Sequence, residues 1–449
     1  MSVFSPVVHR TFARGVHPPE RKGLAENCPI EVLPCPSKVV IPLLQHLGAV
    51  CLATVKPRQE VEMGDVVGEA TAPVSAPVHA SVRGKVGRAT MATLPNGRHV
   101  PAIPIDAAEE QPFAGDALFE EIYGGDYPLD GLGHYLPQTI RQAAREAGLV
   151  GLGGAAFPTH IKLAPREQTP IDTLLLNGCE CEPYLTGDDQ LMQVAPRPIL
   201  AGGLLGQLAT GAQRVVVGIE ANKPRAIRSL RQAAEGTDIE ICVLRPKYPQ
   251  GGEKQLIAAM LHREIPNGKL PLDVGVVVLN VGTAAALARA VVRGRPLTHR
   301  VVTVSGGGIR RPANVLAPIG ASYRQLVEHC GGLRDNAVRI IAGGPMMGFT
   351  LGTLDAPVTK GTSGITILSE REVRRAGETP CVRCGRCVEV CPMRLVPTKL
   401  GLAARAGNAE LARRHHIAAC VECGCCAYVC PAQLPLVQLI RVGKVLARK

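Results

Sequence analysis

Near the end of this 449-residue chain one cysteine pattern occurs twice: Cys381-x-x-Cys384-x-x-Cys387-x-x-x-Cys391-Pro392 and Cys420-x-x-Cys423-x-x-Cys426-x-x-x-Cys430-Pro431. No other feature restricts the fold so tightly. A cubane cluster needs four thiolates converging on one small volume. With this spacing three come from a tight loop and the fourth from the other run, across a pseudo-twofold axis. One [4Fe–4S] cluster is therefore expected on Cys381, Cys384, Cys387 and Cys430, and the other on Cys420, Cys423, Cys426 and Cys391. The prolines end each run and turn the chain away. Zinc ribbons use two C-x-x-C pairs instead. Cys425, inside the second loop, reads as a packed thiol.

The chain has 16 cysteines, and its start lacks the pattern of a signal peptide. A reducing compartment is expected, not a disulfide framework. Outside the two runs, Cys28, Cys35, Cys51, Cys179, Cys181, Cys242 and Cys330 read as small buried hydrophobes. The formal charge is +12, and residues 371–449 are its most basic part. Such an end suits an acidic electron-carrier protein or anionic headgroups. Nucleic acid fits poorly, because aromatic stacking residues are only 3% of the chain. Residues 274–292 are apolar enough to suggest a membrane span. Asn280, Thr283 and Arg289 interrupt them, and they divide better into a strand, a turn at 280–283 and a helix.

The chain reads as multidomain α/β and α+β. Residues 1–38 are a proline-rich extended segment. Residues 39–105 alternate short strands with glycine and proline turns, like a lipoyl-type β-sandwich, but the tip SAPVHAS carries no lysine for a lipoyl group. Residues 106–136 read as an acidic, glycine-rich linker. Across 137–298 strands at 171–176, 214–217, 239–244 and 274–279 alternate with helices at 199–209, 224–235, 253–262 and 284–292, after a first helix in PQTIRQAAREAG. That alternation argues for a largely parallel, Rossmann-like α/β sheet covered by helices. Residues 299–368 form a small α+β module, and 369–449 hold the cysteine runs after a charged helix or linker at 369–379.

Several motifs fall in the α/β part. Gly151-Leu-Gly153-Gly154-Ala-Ala156-Phe157 is a glycine loop that follows a helix, unlike a Rossmann fingerprint, and Lys162 downstream could meet a phosphate. Asn177-Gly-Cys179-Glu180-Cys181-Glu182-Pro183-Tyr184, with Asp188 and Asp189, follows the first strand. Gly251-Gly252-Glu253 opens a helix, and Asn280-Val281-Gly282-Thr283 follows the last strand. Loops at the carboxyl ends of such strands are where ligands bind, so these motifs should converge on one site.

With those residues in place, the chain resembles the RnfC component of the Rnf (Rsx) electron transport complex, and its central part is similar to the flavin- and NADH-binding subunit of respiratory complex I. The matching pieces are GVHPPERK at 15–22, IPLLQHLGA at 41–49, APVHASVRGKV at 76–86, GLGGAAFPTHIKL at 151–163, NGCECEPYLTGDD at 177–189, YPQGGEKQLI at 248–257, NVGT at 280–283 and the ferredoxin-like end. The resemblance implies noncovalent FMN in the α/β domain, with NADH as substrate stacked beside it. Carried onto matching positions, the flavin contacts are Gly151, Gly153, Lys162, Asn177, Glu180, Glu253, Asn280 and Thr283. Phe157 and Glu182 lie on the dinucleotide side. The 299–368 module resembles a β-grasp ligand-binding domain between flavin and clusters. Ala156 stands where the family usually has glycine, and Cys179 replaces a small residue.

The function this implies is electron input: NADH to FMN, FMN to the two clusters, and on to membrane subunits of an ion-translocating NAD(H):ferredoxin oxidoreductase, in either direction. Integral membrane subunits, a further iron–sulfur subunit and, indirectly, ferredoxin are the implied partners. The chain would sit peripherally on the cytoplasmic face of the bacterial inner membrane. Two other readings compete. One is a soluble flavin/iron–sulfur NADH oxidoreductase subunit feeding a reductase. The other is a ferredoxin-like relay whose α/β scaffold binds no nucleotide.

Overall fold

The computed structural model describes residues 10–164, 169–374 and 376–448. Its centre is a four-stranded, wholly parallel sheet in the order Glu240–Leu244, Arg214–Glu220, Thr173–Gly178, Val276–Asn280. The two inner strands and Val276–Asn280 are runs of Val, Leu and Ile buried on both faces, as a helix-covered parallel sheet requires. Helices Pro196–Thr210, Pro224–Ala233, Glu253–Leu261 and Val281–Arg293 cover it. Gly202 lets the first and last of these approach closely: a Cβ there would lie 1.8 Å from the Ala284 carbonyl oxygen.

The apolar stretch at 274–292 divides into strand and helix as expected, but without a separate turn. Asn280 itself ends the strand and caps the helix, its Oδ1 accepting from Gly282 N at 2.9 Å and Thr283 N at 3.3 Å. Among the described residues no helix is long and apolar enough to cross a membrane.

N-terminal to this domain, strands Lys38–Pro42, His99–Ala107, Gly84–Val86 and Glu60–Val61 pair antiparallel in that order. A second sheet of Leu52–Ala53, Val66–Glu69 and Val78–His79 shares their aliphatic core. The segment SAPVHAS is no exposed tip. Ser75 through Ser81 are buried, and Lys360 from the distant β-grasp module donates to the Pro77 carbonyl at 2.6 Å.

The β-grasp sheet runs Ile30–Val32, Ala313–Pro318, His299–Ser305, Gly364–Ser369, Ala337–Ala342, Phe349–Thr350, with helix Tyr323–His329 beside it. Its first strand corrects the reading of residues 1–38 as merely extended: Ile30–Val32 pairs parallel with Asn314–Leu316. Residues 106–136 likewise are more than a linker. They hold the helix Gly115–Tyr123, whose Glu121 is buried and lies within ion-pair distance of Arg289 (3.5 Å), Arg293 (2.6 Å) and Arg295 (3.3 Å). Glu121 falls on the inner side of that helix, so a composition that looks like a solvated linker anchors to the α/β domain.

The chain closes with helices Pro397–Arg405, Ala409–Arg414 and Leu436–Arg448 packed around the two cysteine runs. Beyond the 3₁₀ turn Glu370–Glu372, no long charged helix forms among the described residues of 369–379.

Candidate flavin and iron–sulfur sites

The register Asn177↔Asn280 brings the carboxyl ends of two neighbouring strands side by side. Their following loops therefore share one edge of the sheet, where ligands bind in such folds. The glycine loop 151–157 arrives from the preceding helix and is fastened over that edge: Leu152 N donates to Thr283 Oγ1 at 2.9 Å, and Leu47 N donates to the Ala156 carbonyl at 3.0 Å. A Cβ at Gly153 would lie 3.4 Å from Asn280 Cβ, tight against the cap residue. A Cβ on Gly154, at φ +105°, would meet nothing within 4 Å among the described residues, and Gly153–Ala155 are exposed. The loop thus shows bare backbone to open space. Ala156 holds φ +49°, a left-handed conformation that suits the glycine usual there.

The expected flavin residues are connected to one another. Lys162 Nζ donates to Glu253 Oε1 at 2.6 Å and to the Val278 carbonyl at 2.8 Å, leaving one donor of three. Asn177 Nδ2 donates to the Gly251 carbonyl at 2.9 Å. Glu180 accepts from the amides of Asp188 (2.9 Å) and Asp189 (3.2 Å), which open the helix Gly187–Val194. Asn280 Nδ2 donates to Asp188 Oδ2 at 2.6 Å.

The acidic loop is charged at a cost. Burial, reinforced by Glu180, pushes Asp188 up to about 7 and Asp189 up to about 6. Asp189 Oδ1 is buried with no hydrogen-bond partner among the described residues. Burial also pushes Glu182 up to about 7, against the amides of Met346 and Met347, which donate to it at 3.1 and 2.8 Å. Its carboxylate therefore faces the β-grasp loop. Phe157 is half-buried at the end of the glycine loop, where its carbonyl accepts from Gly151 N at 2.8 Å. A glycine loop open to solvent, followed by Lys162 with one of its three donors left, fits a phosphate-bearing flavin.

Three residues without an assigned role complete this site. Arg300, buried on a β-grasp strand, donates to the carbonyls of Leu152 (3.1 Å) and Thr362 (3.3 Å) and offsets Asp188. Nothing in its sequence neighbourhood marks it. Lys22 and Tyr248 lie in quoted motifs, GVHPPERK and YPQGGEKQLI, and only the fold shows what they touch.

The cysteine runs repeat in backbone as well as sequence. Arg383 and Glu422, Gly385 and Gly424, and Arg394 and Gln433 occupy equivalent positions, and all six have positive φ. Arg383 N donates to Cys381 Sγ and Glu422 N to Cys420 Sγ, each at 3.4 Å. Cys391, Cys420, Cys423, Cys425 and Cys426 line one cavity of about 20 Å³. Burial pushes the Cys387 and Cys426 thiols up, with smaller contributions from Cys384 and Cys430 to the first and from Cys423, Cys420 and Cys391 to the second. Among the described residues no three His, Cys, Asp or Glu side chains are grouped to hold a single metal ion. Cys425 is fully buried against Val16 and Tyr248. Of the other cysteines, Cys51, Cys179, Cys242 and Cys330 are buried as expected, Cys28 and Cys181 only partly, and Cys35 is exposed.

The two sites meet. Tyr248, just before Gly251–Glu253, donates from Oη to the Cys423 carbonyl at 2.6 Å. The Met346 carbonyl, next to the Glu182 contact, would lie 2.5 Å from a Cβ on Gly424. Arg441 donates to the Met347 carbonyl at 2.7 Å and to Glu422 at 3.0 Å. The β-grasp loop is thereby wedged between the acidic loop and the second cysteine run.

Comparison with known proteins agrees along the chain. Residues 10–110 match the RnfC barrel sandwich hybrid domain, 144–289 the Nuo51 FMN-binding domain, 301–350 the SLBB domain and 380–434 the 4Fe-4S dicluster domain. The C subunit of the proton-translocating ferredoxin:NAD(+) oxidoreductase complex of Clostridium ljungdahlii is 41% identical over 88% of this chain and 84% of its own. The C subunit of the Na(+)-translocating ferredoxin:NAD(+) oxidoreductase complex of Acetobacterium woodii is 40% identical over 88% and 87%. The C subunit of the ion-translocating oxidoreductase complex of Rhodobacter capsulatus is 40% identical over 99% and 84%. With an FMN-binding domain and a 4Fe-4S dicluster domain in this order, the chain belongs to the RnfC family, the C subunits of ion-translocating oxidoreductase complexes.

Proposed function

We propose that this chain is the electron-input subunit of a membrane-bound complex that couples electron transfer between NAD(H) and ferredoxin to ion translocation. The observation that carries the proposal is the seam in which Tyr248, one loop from Glu253, donates to the carbonyl of Cys423. It supports a short route between a flavin at the sheet edge and a cluster at the second cysteine run.

In this reading Gly151 and Gly153 offer backbone to the FMN phosphate, with Lys162 supplying charge. Asn177, Glu180, Glu253, Asn280 and Thr283 hold the ring and ribityl side, and Phe157 lies toward NADH. Glu182 belongs to the same face by family pattern, and its amide partners orient it toward the β-grasp loop. FMN, when bound, accepts electrons from NADH in pairs and releases them singly, which side chains cannot do. The chain's own work is to hold that group, keep water from the acidic loop and fix the distance to the clusters. Cys381, Cys384, Cys387 and Cys430 hold one [4Fe–4S] cluster, and Cys391, Cys420, Cys423 and Cys426 the other. The basic end faces its partners: integral membrane subunits, a further iron–sulfur subunit and, through them, ferredoxin. The chain sits peripherally on the cytoplasmic face.

Anaerobic reconstitution tests the reading. The chain should take up one FMN and eight irons. In dithionite-reduced samples, Cys381→Ser and Cys430→Ser should damage one EPR signal and Cys391→Ser the other. A chain that binds no FMN, or a Cys391→Ser variant that damages the same signal as Cys381→Ser, refutes it.

A further inference from the structure

The GVHPPERK motif at 15–22 has no role in the account above, yet its last residue is a buried cation beneath the acidic loop. Lys22 is 6% exposed, and its ammonium donates to the carbonyls of Leu185 and of Glu182, the latter at 3.1 Å. Its strongest charged neighbour is Glu180. Burying an ammonium is costly unless it is used, and here the acceptors are two carbonyls of one loop.

That loop needs holding. Tyr184 has φ +70°, a conformation a bulky residue adopts only when its surroundings over-determine it. The surroundings come largely from the N-terminal segment. Tyr184 N donates to the Glu20 carbonyl at 2.9 Å, and Gln190 Nε2 to the Glu26 carbonyl at 2.6 Å. Tyr184 Oη donates to Glu372 at 2.9 Å. At its other end the same segment grips the first cysteine run: Gly15 N donates to the Val390 carbonyl at 3.0 Å and Arg14 Nη1 to the Val388 carbonyl at 2.9 Å.

We infer that Lys22 is a positioning residue of the flavin site, holding the 180–186 loop in its strained, ligand-ready form from beneath. The inference rests on the flavin reading of that loop. Its charge also offsets the carboxylates of Glu180, Glu182 and Asp189 when they are ionised.

The test compares wild type, Lys22→Met and Arg14→Ala, each as the full chain reconstituted anaerobically. FMN affinity is followed by fluorescence quenching, cluster content by iron analysis and EPR, and folding by thermal melting. Lys22→Met should bind FMN at least tenfold more weakly, with cluster signals and melting midpoint unchanged. Arg14→Ala, which loosens only the far end of the strap, should bind FMN like wild type. Unaltered FMN affinity in Lys22→Met overturns the inference alone. So does parallel loss of FMN, clusters and melting midpoint, or an equal loss in Arg14→Ala. A wild-type chain that takes up no FMN overturns the flavin reading, and this inference with it.

Discussion

Asn280 does two jobs that one substitution separates. Its Oδ1 caps the helix Val281–Arg293, and its Nδ2 donates to Asp188 at 2.6 Å. Asn280→Asp keeps the cap, since Asp serves there as well as Asn. It replaces the donor with a second carboxylate facing the first. Losing a hydrogen bond to a charged acceptor costs about 1.5–3 kcal/mol. Two carboxylates about 4 Å apart repel by up to about 4 kcal/mol at an effective dielectric of 20, until a proton relieves them. We expect a net loss of about 2 kcal/mol at pH 8, read as FMN binding about 30-fold weaker. The pH dependence follows from Asp188. Its folded pKa is raised from 3.8 to about 7, so the wild type loses stability as pH rises from about 4 to 7 and levels off above. In the variant a shared proton restores the contact at low pH, so the defect should shrink toward pH 5 and grow above pH 7. FMN fluorescence titrations at pH 5.5, 7 and 8.5 measure it. A variant that binds like wild type at pH 8.5, or whose defect is the same at every pH, refutes this reasoning.

Lys162→Met removes the Glu253 pair and the bond to Val278. Because both partners are partly exposed, at 28% and 37%, about 1–2 kcal/mol is expected, or FMN binding roughly 5- to 30-fold weaker in titration. Ala156→Gly relieves a left-handed alanine, worth about 1–2 kcal/mol less glycine's own flexibility cost of about 0.5–1. FMN should bind roughly two- to fivefold tighter by the same assay. Cys425 lines the cavity of the second run but also packs against Val16 and Tyr248; if ligation follows the repeated spacing, Cys425→Ala should retain both cluster EPR signals at full intensity. Glu121→Ala strands Arg289 in the interior and should cost about 3 kcal/mol, seen as earlier loss of structure in denaturant.

Much of this was legible in the sequence because it rests on local rules. The cysteine spacing specifies a loop before any long-range contact forms. The apolar runs of the α/β domain predicted the four strands of its sheet and the four helices that cover it, though not the helix Gly187–Val194, because strands buried on both faces need continuous Val, Leu and Ile. Asn177, Asn280 and Glu253 could be placed together since all lie at or beyond the carboxyl ends of strands of one parallel sheet. What stayed hidden depends on tertiary partners. Ile30–Val32 is too short to announce itself and exists because Asn314–Leu316 offers an edge. The helix Gly115–Tyr123 looks like linker because Glu121 draws its partners from residues far along the chain. Arg300, Lys22 and Lys360 are ordinary basic residues until the fold buries them against carbonyls of other domains.

The most direct test of electron input is an anaerobic NADH titration of the chain reconstituted with FMN, iron and sulfide, followed at the flavin absorption band. Dithionite-reduced EPR on the same preparation establishes that both clusters are present. NADH should bleach the flavin band, completely at about two equivalents per chain because FMN takes two electrons and each cluster one, and NAD(+) added in excess should restore it. Clusters fully assembled and FMN bound, with a flavin band that NADH leaves untouched, would contradict it.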